Sequence, residues 1–264
     1  MTSTASGAQI NFQDGGAYDA AMGVWSRLAG ERFLQWMAPA PGLRWLDIGC
    51  GSGAFTELLM QTAHPATLHG VDPSEPQLAF ARKRPALAGC DLRVGDAMQL
   101  PFADACFDAA VMALVLFFVP EPARGLAEMR RVVRPGGVVS AYLWDFSTGG
   151  FPFEPIQAEQ RAMGMTPRLP PSVQVAGMAA FRAQFEAAGL AGIETTTLHV
   201  ARSFADFDSF WAITTGMMQD SLTQMGPDRT ASLRAAVQRR LQPDSNGQIT
   251  YNAHANAIRA VVPG

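Results

Sequence analysis

A parallel β-sheet wrapped by helices on both faces is the α/β fold this chain predicts, and three observations predict it. Strand-like and helix-like segments alternate from residue 43 to residue 144. The apolar run Leu43–Ile48 breaks into Gly49, Gly51 and Gly53 and re-enters as a helix near Ala54. Further strand-like stretches close on Asp72 and on Asp96. Alternation of this kind makes consecutive strands parallel, with the helices as crossovers.

Each element has its own signal. Residues 1–16 are small and polar and read as a flexible arm, without the basic flank and apolar run of a signal peptide. From Tyr18 to Met37 the apolar positions Met22, Trp25, Leu28, Phe33 and Trp36 recur near helical spacing, until Pro39 and Pro41 stop the pattern. Strand 43–48 is followed by helix 54–63, strand 67–71 by helix 75–84, and strand 91–95 by a short loop. Strand 107–113 leads to helix 122–133, and strand 137–144 completes a core that spans residues 17–146 with its N-terminal helix. Ala109–Val119 is apolar throughout, yet its eleven residues are too few to cross a bilayer and suit a buried strand.

Beyond Asp145 the character changes. Residues 147–172 are rich in Gly and Pro and read as a long connection, part of a lid. A helix is expected over 176–188, with Gly189 just past its end. Strands at about 192–203 and 248–262 bracket two helices over 205–225 and 228–241. Residues 147–264 thus complete the sheet and add a helical cap at about 205–242.

Composition narrows the function. The 264 residues are 48% hydrophobic and 16% charged, enough for a sizeable core. Twenty basic against 23 acidic residues give a net charge of −3 and no basic stripe, which argues against a nucleic-acid partner. Cys50, Cys90 and Cys106 are odd in number and lack metal-ligand spacing, so no metal site is expected and a reducing cytoplasm is the natural setting.

The glycine turn carries the chemistry. Glycines at alternate positions strip Cβ atoms from one side of the loop, and the helix that follows offers unpaired N–H groups to a small anionic or zwitterionic cofactor. Gly49-x-Gly51-x-x-Ala54 satisfies the dinucleotide fingerprint, with Asp72 placed 23 residues after Gly49. Three features pull away from it: the extra Gly53, the acid Asp47 at the strand end, and Asp96 after a third strand. Three such aspartates suit a ligand with an amine, a ribose diol and an adenine.

The motifs Asp47-Ile48-Gly49-Cys50-Gly51-Ser52-Gly53, Gly70-Val71-Asp72-Pro73-Ser74, Gly95-Asp96-Ala97-Met98, Phe107-Asp108-Ala109-Ala110-Val111 and Arg134-Pro135-Gly136-Gly137 occur in one order over residues 43–146. In that order they resemble the core of class I S-adenosylmethionine-dependent methyltransferases, most similar to the ubiquinone/menaquinone-biosynthesis-type (type 11-like) group. The resemblance implies a Rossmann-like, seven-stranded, mostly parallel sheet. It implies S-adenosyl-L-methionine as cofactor, S-adenosyl-L-homocysteine as product, and methyl transfer to a small-molecule acceptor at an O, N or C atom. It puts Asp47 on the methionyl ammonium, with Gly49, Cys50, Gly51 and Gly53 as the pocket wall. Asp72 and Pro73 fall to the ribose, and Asp96, Ala97 and Met98 to the adenine. Met112, Ala113 and Val115 line the methyl group, while Tyr18, Met22 and Trp25 fold over the cofactor. About forty residues of helix inside the family's terminal hairpin would cap the substrate pocket.

Where family members often carry a polar residue and a histidine, this chain has Met112 and Phe117. The catalytic residue is therefore unassigned, and the apolar rim suits an apolar or aromatic acceptor. His64, His69, His199 and His254 are scattered, as structural or surface histidines are, and His199 and His254, on the cap side, are the candidates among them. An NAD-dependent oxidoreductase and an inactive methyltransferase-like binding module are the rival readings.

Overall fold

The structure, a computed structural model, describes residues 19–264; the expected arm at 1–16 and Tyr18 lie outside the described residues. Seven strands form one sheet: β1 (Arg44–Ile48), β2 (Thr67–Asp72), β3 (Asp91–Val94), β4 (Phe107–Ala113), β5 (Val133–Trp144), β6 (Ala191–Phe204) and β7 (Ile249–Val261). Their order is β3-β2-β1-β4-β5-β7-β6, with β1 to β5 parallel and β7 antiparallel to both its neighbours. The expected seven-stranded, mostly parallel sheet is the observed one.

The parallel strands are buried on both faces, as continuous apolar runs require. Trp45–Ile48 and Ala109–Met112 are enclosed throughout. Helices α1 (Val24–Met37), α2 (Ala54–Ala63) and α3 (Glu75–Ala81) precede or link β1 to β3; α4 (Pro122–Val132) links β4 to β5. In α4 the spacing of Leu126, Met129 and Val132 makes the buried stripe, while Arg130 and Arg131 end the last turn where cations oppose the helix dipole. Helices cover both faces, with α1 and α2 packed together on one of them through Phe33 and Phe55, 6.1 Å apart. Arg259 on β7 donates to Met37 O on α1, whereas Asn256, of opposite parity on the same strand, donates to Ala176 O.

Two local readings need correction. Residues 147–172 are not an uninterrupted connection, because they hold α5 (Glu154–Ala162). Ile156 is its one large apolar side chain facing inward, beside Gln157 and Gln160, so no helical period shows in the sequence. Its Glu159 is held from outside, by Arg240 at 2.8 Å. The fifth strand begins at Val133 rather than 137: Val133 pairs with Phe107, the register shifts around Gly136 (φ +75°), and the ladder resumes at Val138.

After α6 (Met178–Ala187), which ends at Gly189 with φ +71°, β6 and β7 form a long hairpin. β5 stops at Trp144↔Ala255, but β6 and β7 stay paired to Phe204↔Ile249. The hairpin therefore rises past the sheet on the edge where β1, β2 and β4 end. Helices α7 (Phe207–Thr215), α8 (Gln219–Met225) and α9 (Pro227–Arg240) connect its two strands there. Asp206 starts α7 by accepting from Ser209 N–H at 2.7 Å, and Pro227 begins α9. Among the described residues no helix is long and apolar enough to cross a membrane.

Candidate active site

The glycine loop closes the C-terminal end of β1. Its fold comes from the backbone: Gly49 and Cys50 N–H both donate to Val71 O, at 2.7 and 3.1 Å. Gly49, Gly51 and Gly53 all have left-handed φ, at +74°, +52° and +79°. A Cβ on Gly49 would lie 2.5 Å from Val115, and one on Gly53 2.7 Å from Leu87. Only Gly51, among these three, faces open space. The glycines therefore serve the loop in two ways. Two of them let the protein pack against itself, and one leaves backbone open.

The strand order places Asp47, Asp72 and Asp96 at the same edge, at or just after the ends of the adjacent strands β1, β2 and β3. Asp47 is wholly enclosed. Its Oδ2 accepts from the Thr56 hydroxyl at 2.7 Å, and its Oδ1 has no hydrogen-bond partner. Burial pushes this carboxyl up to about 7; the Thr56 bond opposes that and the negative charge of Asp72 adds to it. An orphaned buried carboxylate oxygen is costly, and the geometry suits a cationic ligand group such as an ammonium.

Asp72 joins two motifs. Its Oδ2 accepts from Gly51 N–H at 2.9 Å and its Oδ1 from Ser74 N–H at 2.8 Å. Burial raises this carboxyl and the two backbone bonds offset part of the rise. Each oxygen keeps a further lone pair for a ligand hydroxyl. Asp96 is exposed and accepts from Met98 N–H at 2.8 Å, an Asx turn that fixes the loop, with Ala97 and Met98 half-buried beside it. Pro73 is exposed. Cys50 is buried against Leu78, Ala81, Leu87 and Leu92, and burial drives its thiol far up, so it packs rather than reacts. An ammonium, a diol and a zwitterionic adenosyl group fit this donor and acceptor set.

Past β4 the expectations divide. Ala113 and Val115 are half-buried at the edge, Val115 against Gly49. Met112 is fully enclosed, within reach of Gly125 on α4, because strand alternation turns it away from Ala113; it is a core residue and not a rim residue. Met22 and Trp25 are likewise buried, with Trp25 edge-on to Tyr251 of β7 at 6.2 Å. They hold the start of α1 against the rising hairpin.

At this edge the sequence pointed to Phe117 and, on the cap side, to His254, but not to Phe146, Phe151, Asp145 or Thr148 as their neighbours. Leu114 has φ +61°, a strained backbone for a branched residue, and its N–H donates to Tyr142 O. Phe117, Phe146 and Phe151 form an aromatic wall, with Phe146 and Phe151 stacked at 4.4 Å and Phe117 edge-on to Phe146 at 5.7 Å. Beside the wall lies a polar cluster of Asp145, Thr148 and His254. An open groove of about 480 Å³ lies elsewhere, between α1 and β6, lined by Leu28, Arg32, His199 and Asn252.

The comparisons agree with this geometry. Residues 46–141 match the family described as Methyltransferase domain. Demethylmenaquinone methyltransferase of Desulfitobacterium hafniense is 39% identical over 116 residues, 41% of this chain and 45% of that protein. Fatty-acid O-methyltransferase of Mycolicibacterium smegmatis is 39% identical over 100 residues, 38% of this chain and 36% of that protein. The chain thus spans less than half the length of either relative. In fold, it is similar to the YcgJ protein of Bacillus subtilis, with TM-score 0.61 and 18% identity over 89% of this chain and 98% of that one. Phosphoethanolamine N-methyltransferase 2 of Haemonchus contortus, solved with S-adenosyl-L-methionine, has TM-score 0.59 and 19% identity over 96% of this chain and 58% of its own. The glycine turn, the three acids in strand order and these matches point one way: residues 46–141 of this chain are similar to a methyltransferase domain.

Proposed function

We propose that the protein moves a methyl group from S-adenosyl-L-methionine to a small apolar or aromatic acceptor and releases S-adenosyl-L-homocysteine. The carrying observation is Asp47, whose enclosed carboxylate has an oxygen without a partner at the foot of the glycine loop. In this reading Asp47 holds the amino-acid ammonium, Asp72 the ribose hydroxyls, and Asp96 the adenine amine, with Ala97 and Met98 along the ring. The cofactor, when bound, supplies an activated methyl on a sulfonium. The chain's own part is alignment of the acceptor and exclusion of water.

The half-buried, stacked Phe146 and Phe151, backed by the buried Phe117, support an apolar acceptor, as do the quinone and fatty-acid names of the relatives. Helices α7 to α9, entering at the same edge, act as the cap over that acceptor. Free thiols at Cys50, Cys90 and Cys106 suit a cytoplasmic enzyme. The test is calorimetry with S-adenosyl-L-homocysteine and with NAD. Binding of the former and loss of at least tenfold affinity in Asp72→Ala are expected; binding of NAD alone overturns the reading in favour of an oxidoreductase. Binding without turnover on any acceptor favours the inactive module.

A further inference from the structure

We infer that His254 is the general base of this site, and that the acceptor is a ring hydroxyl with a proton to lose rather than a carboxylate. The inference rests on the methyl-transfer reading above. Asp145 follows β5 directly and is 5% exposed. Its Oδ1 accepts from Ser147 N–H, the Ser147 hydroxyl and Thr148 N–H. Its Oδ2 accepts from the Thr148 hydroxyl at 2.9 Å and from Asn256 Nδ2 at 3.0 Å. Burial pushes the carboxyl up, but the bonds from Ser147, Thr148 and Asn256 outweigh it and hold it below its ordinary range. It is a carboxylate, and a carboxylate only accepts.

That fixes a tautomer. The Thr148 hydroxyl has one proton and gives it to Asp145, so toward His254 Nε2, 2.9 Å away, it can only accept. Nε2 must carry the hydrogen, and in the neutral ring Nδ1 keeps the lone pair. The imidazole is oriented by a buried acid through one hydroxyl, with its basic nitrogen left over.

The relay also stands in the right place. His254 is the first β7 residue beyond the end of β5, on the edge shared with the glycine loop. Asp145 N–H donates to His254 O, and His254 N–H donates to Gly150 O. Gly150 has to lack a side chain, because a Cβ there would lie 2.4 Å from His254 O and 2.8 Å from Nε2. Phe146 and Phe151 flank this same short segment, so wall and relay are built together. The His254 side chain is 24% exposed. Among the described residues, the titratable groups facing the ring are Asp145, with Oδ2 at 3.8 Å from Nε2, and His199 on β6, its ring centroid 5.7 Å away.

In the step itself the acceptor's O–H proton passes to Nδ1 while the oxygen's electron pair bonds the methyl carbon of the sulfonium donor. The C–S bond breaks, and its electron pair stays on sulfur as a neutral thioether. The imidazolium, opposed by Asp145 through Thr148, returns the proton to solvent. An acceptor carboxylate has no proton to lose and needs no such base.

The full-length protein provides the test, with 1,4-naphthohydroquinone and octanoate as probe acceptors. Nitrogen-15 NMR should find His254 as the Nε2–H tautomer; the Nδ1–H tautomer overturns the proposal. His254→Gln should cut kcat on the hydroquinone about 100-fold and abolish its rise with pH, while S-adenosyl-L-homocysteine affinity stays within about twofold. Thr148→Val should lower kcat about tenfold without raising KM, and Thr148→Ser should restore it. Equal rates for His254→Gln and wild type, or no wild-type transfer to the hydroquinone, overturn the inference while leaving methyl transfer intact. Failure of the wild type to bind S-adenosyl-L-homocysteine instead overturns both.

Discussion

Two stretches of one sheet edge build their polar sites differently. At the glycine-loop end the partners are near in sequence: Asp47 and Thr56 are 9 residues apart, and Gly51 and Asp72 are 21 apart. At the hairpin end Thr148 meets His254 across 106 residues, and Asn256 reaches Asp145 across 111. The first site is mostly backbone, shaped by φ angles and Asx turns within neighbouring βα units. The second is mostly side chain to side chain and exists only once β7 has docked beside β5. Sites made of backbone are written in local motifs; sites made across a sheet are not.

The sharpest way to break that contrast is Gly49→Ala. It combines a left-handed φ of +74° with a Cβ 2.5 Å from Val115, so unfolding in urea should show a loss of about 3 kcal/mol or more. A loss below about 1 kcal/mol would show that the loop is not held by its backbone. Asp47→Asn should act with the opposite sign on stability. The native carboxyl keeps its proton up to about 7, whereas the unfolded one loses it near 3.8, so this group destabilises the ligand-free protein as pH rises through that window. At pH 8 the variant should be more stable than wild type by on the order of a few kcal/mol, yet bind S-adenosyl-L-homocysteine at least tenfold more weakly. Equal slopes of stability against pH in both proteins would refute the assignment.

At the hairpin end, Asn256→Ala strips donors from Asp145 Oδ2 and Ala176 O, both buried contacts. A cost of about 2 kcal/mol in urea unfolding is expected, with the glycine-loop end still binding S-adenosyl-L-homocysteine normally. Coupled loss of that binding would mean the two ends are not separable. The smallest effect belongs to Gly51→Ala. Its φ of +52° strains an alanine, but no atom lies within 4 Å, so stability should fall by about 1 kcal/mol. A larger loss in ligand affinity than in stability would place the ligand against Gly51.

How far the sequence reaches can be followed residue by residue. Helix 54–63 and strand 107–113 lie where hydrophobic period and glycine punctuation put them. Helix α5 was invisible because its inward face is Ile156 with two glutamines, so no apolar period marks it. The glycines announced a tight turn correctly, but not that Val115 and Leu87 fill the space beside two of them. The resemblance put Met112 beside the methyl group, and alternation turned it inward.

What the sequence determined alone was the alternation of elements, the loop that needs left-handed glycines, and acids at three strand ends. Each of these is a property of residues within one βα unit, where the chain has few ways to arrange itself. What only the tertiary structure decided was the partnership of Asp145, Thr148 and His254, the aromatic wall beside them, and the inward turn of Met112. Those depend on which strand docks next to β5 and in which register, and a shift of one residue would turn His254 to the opposite face of the sheet.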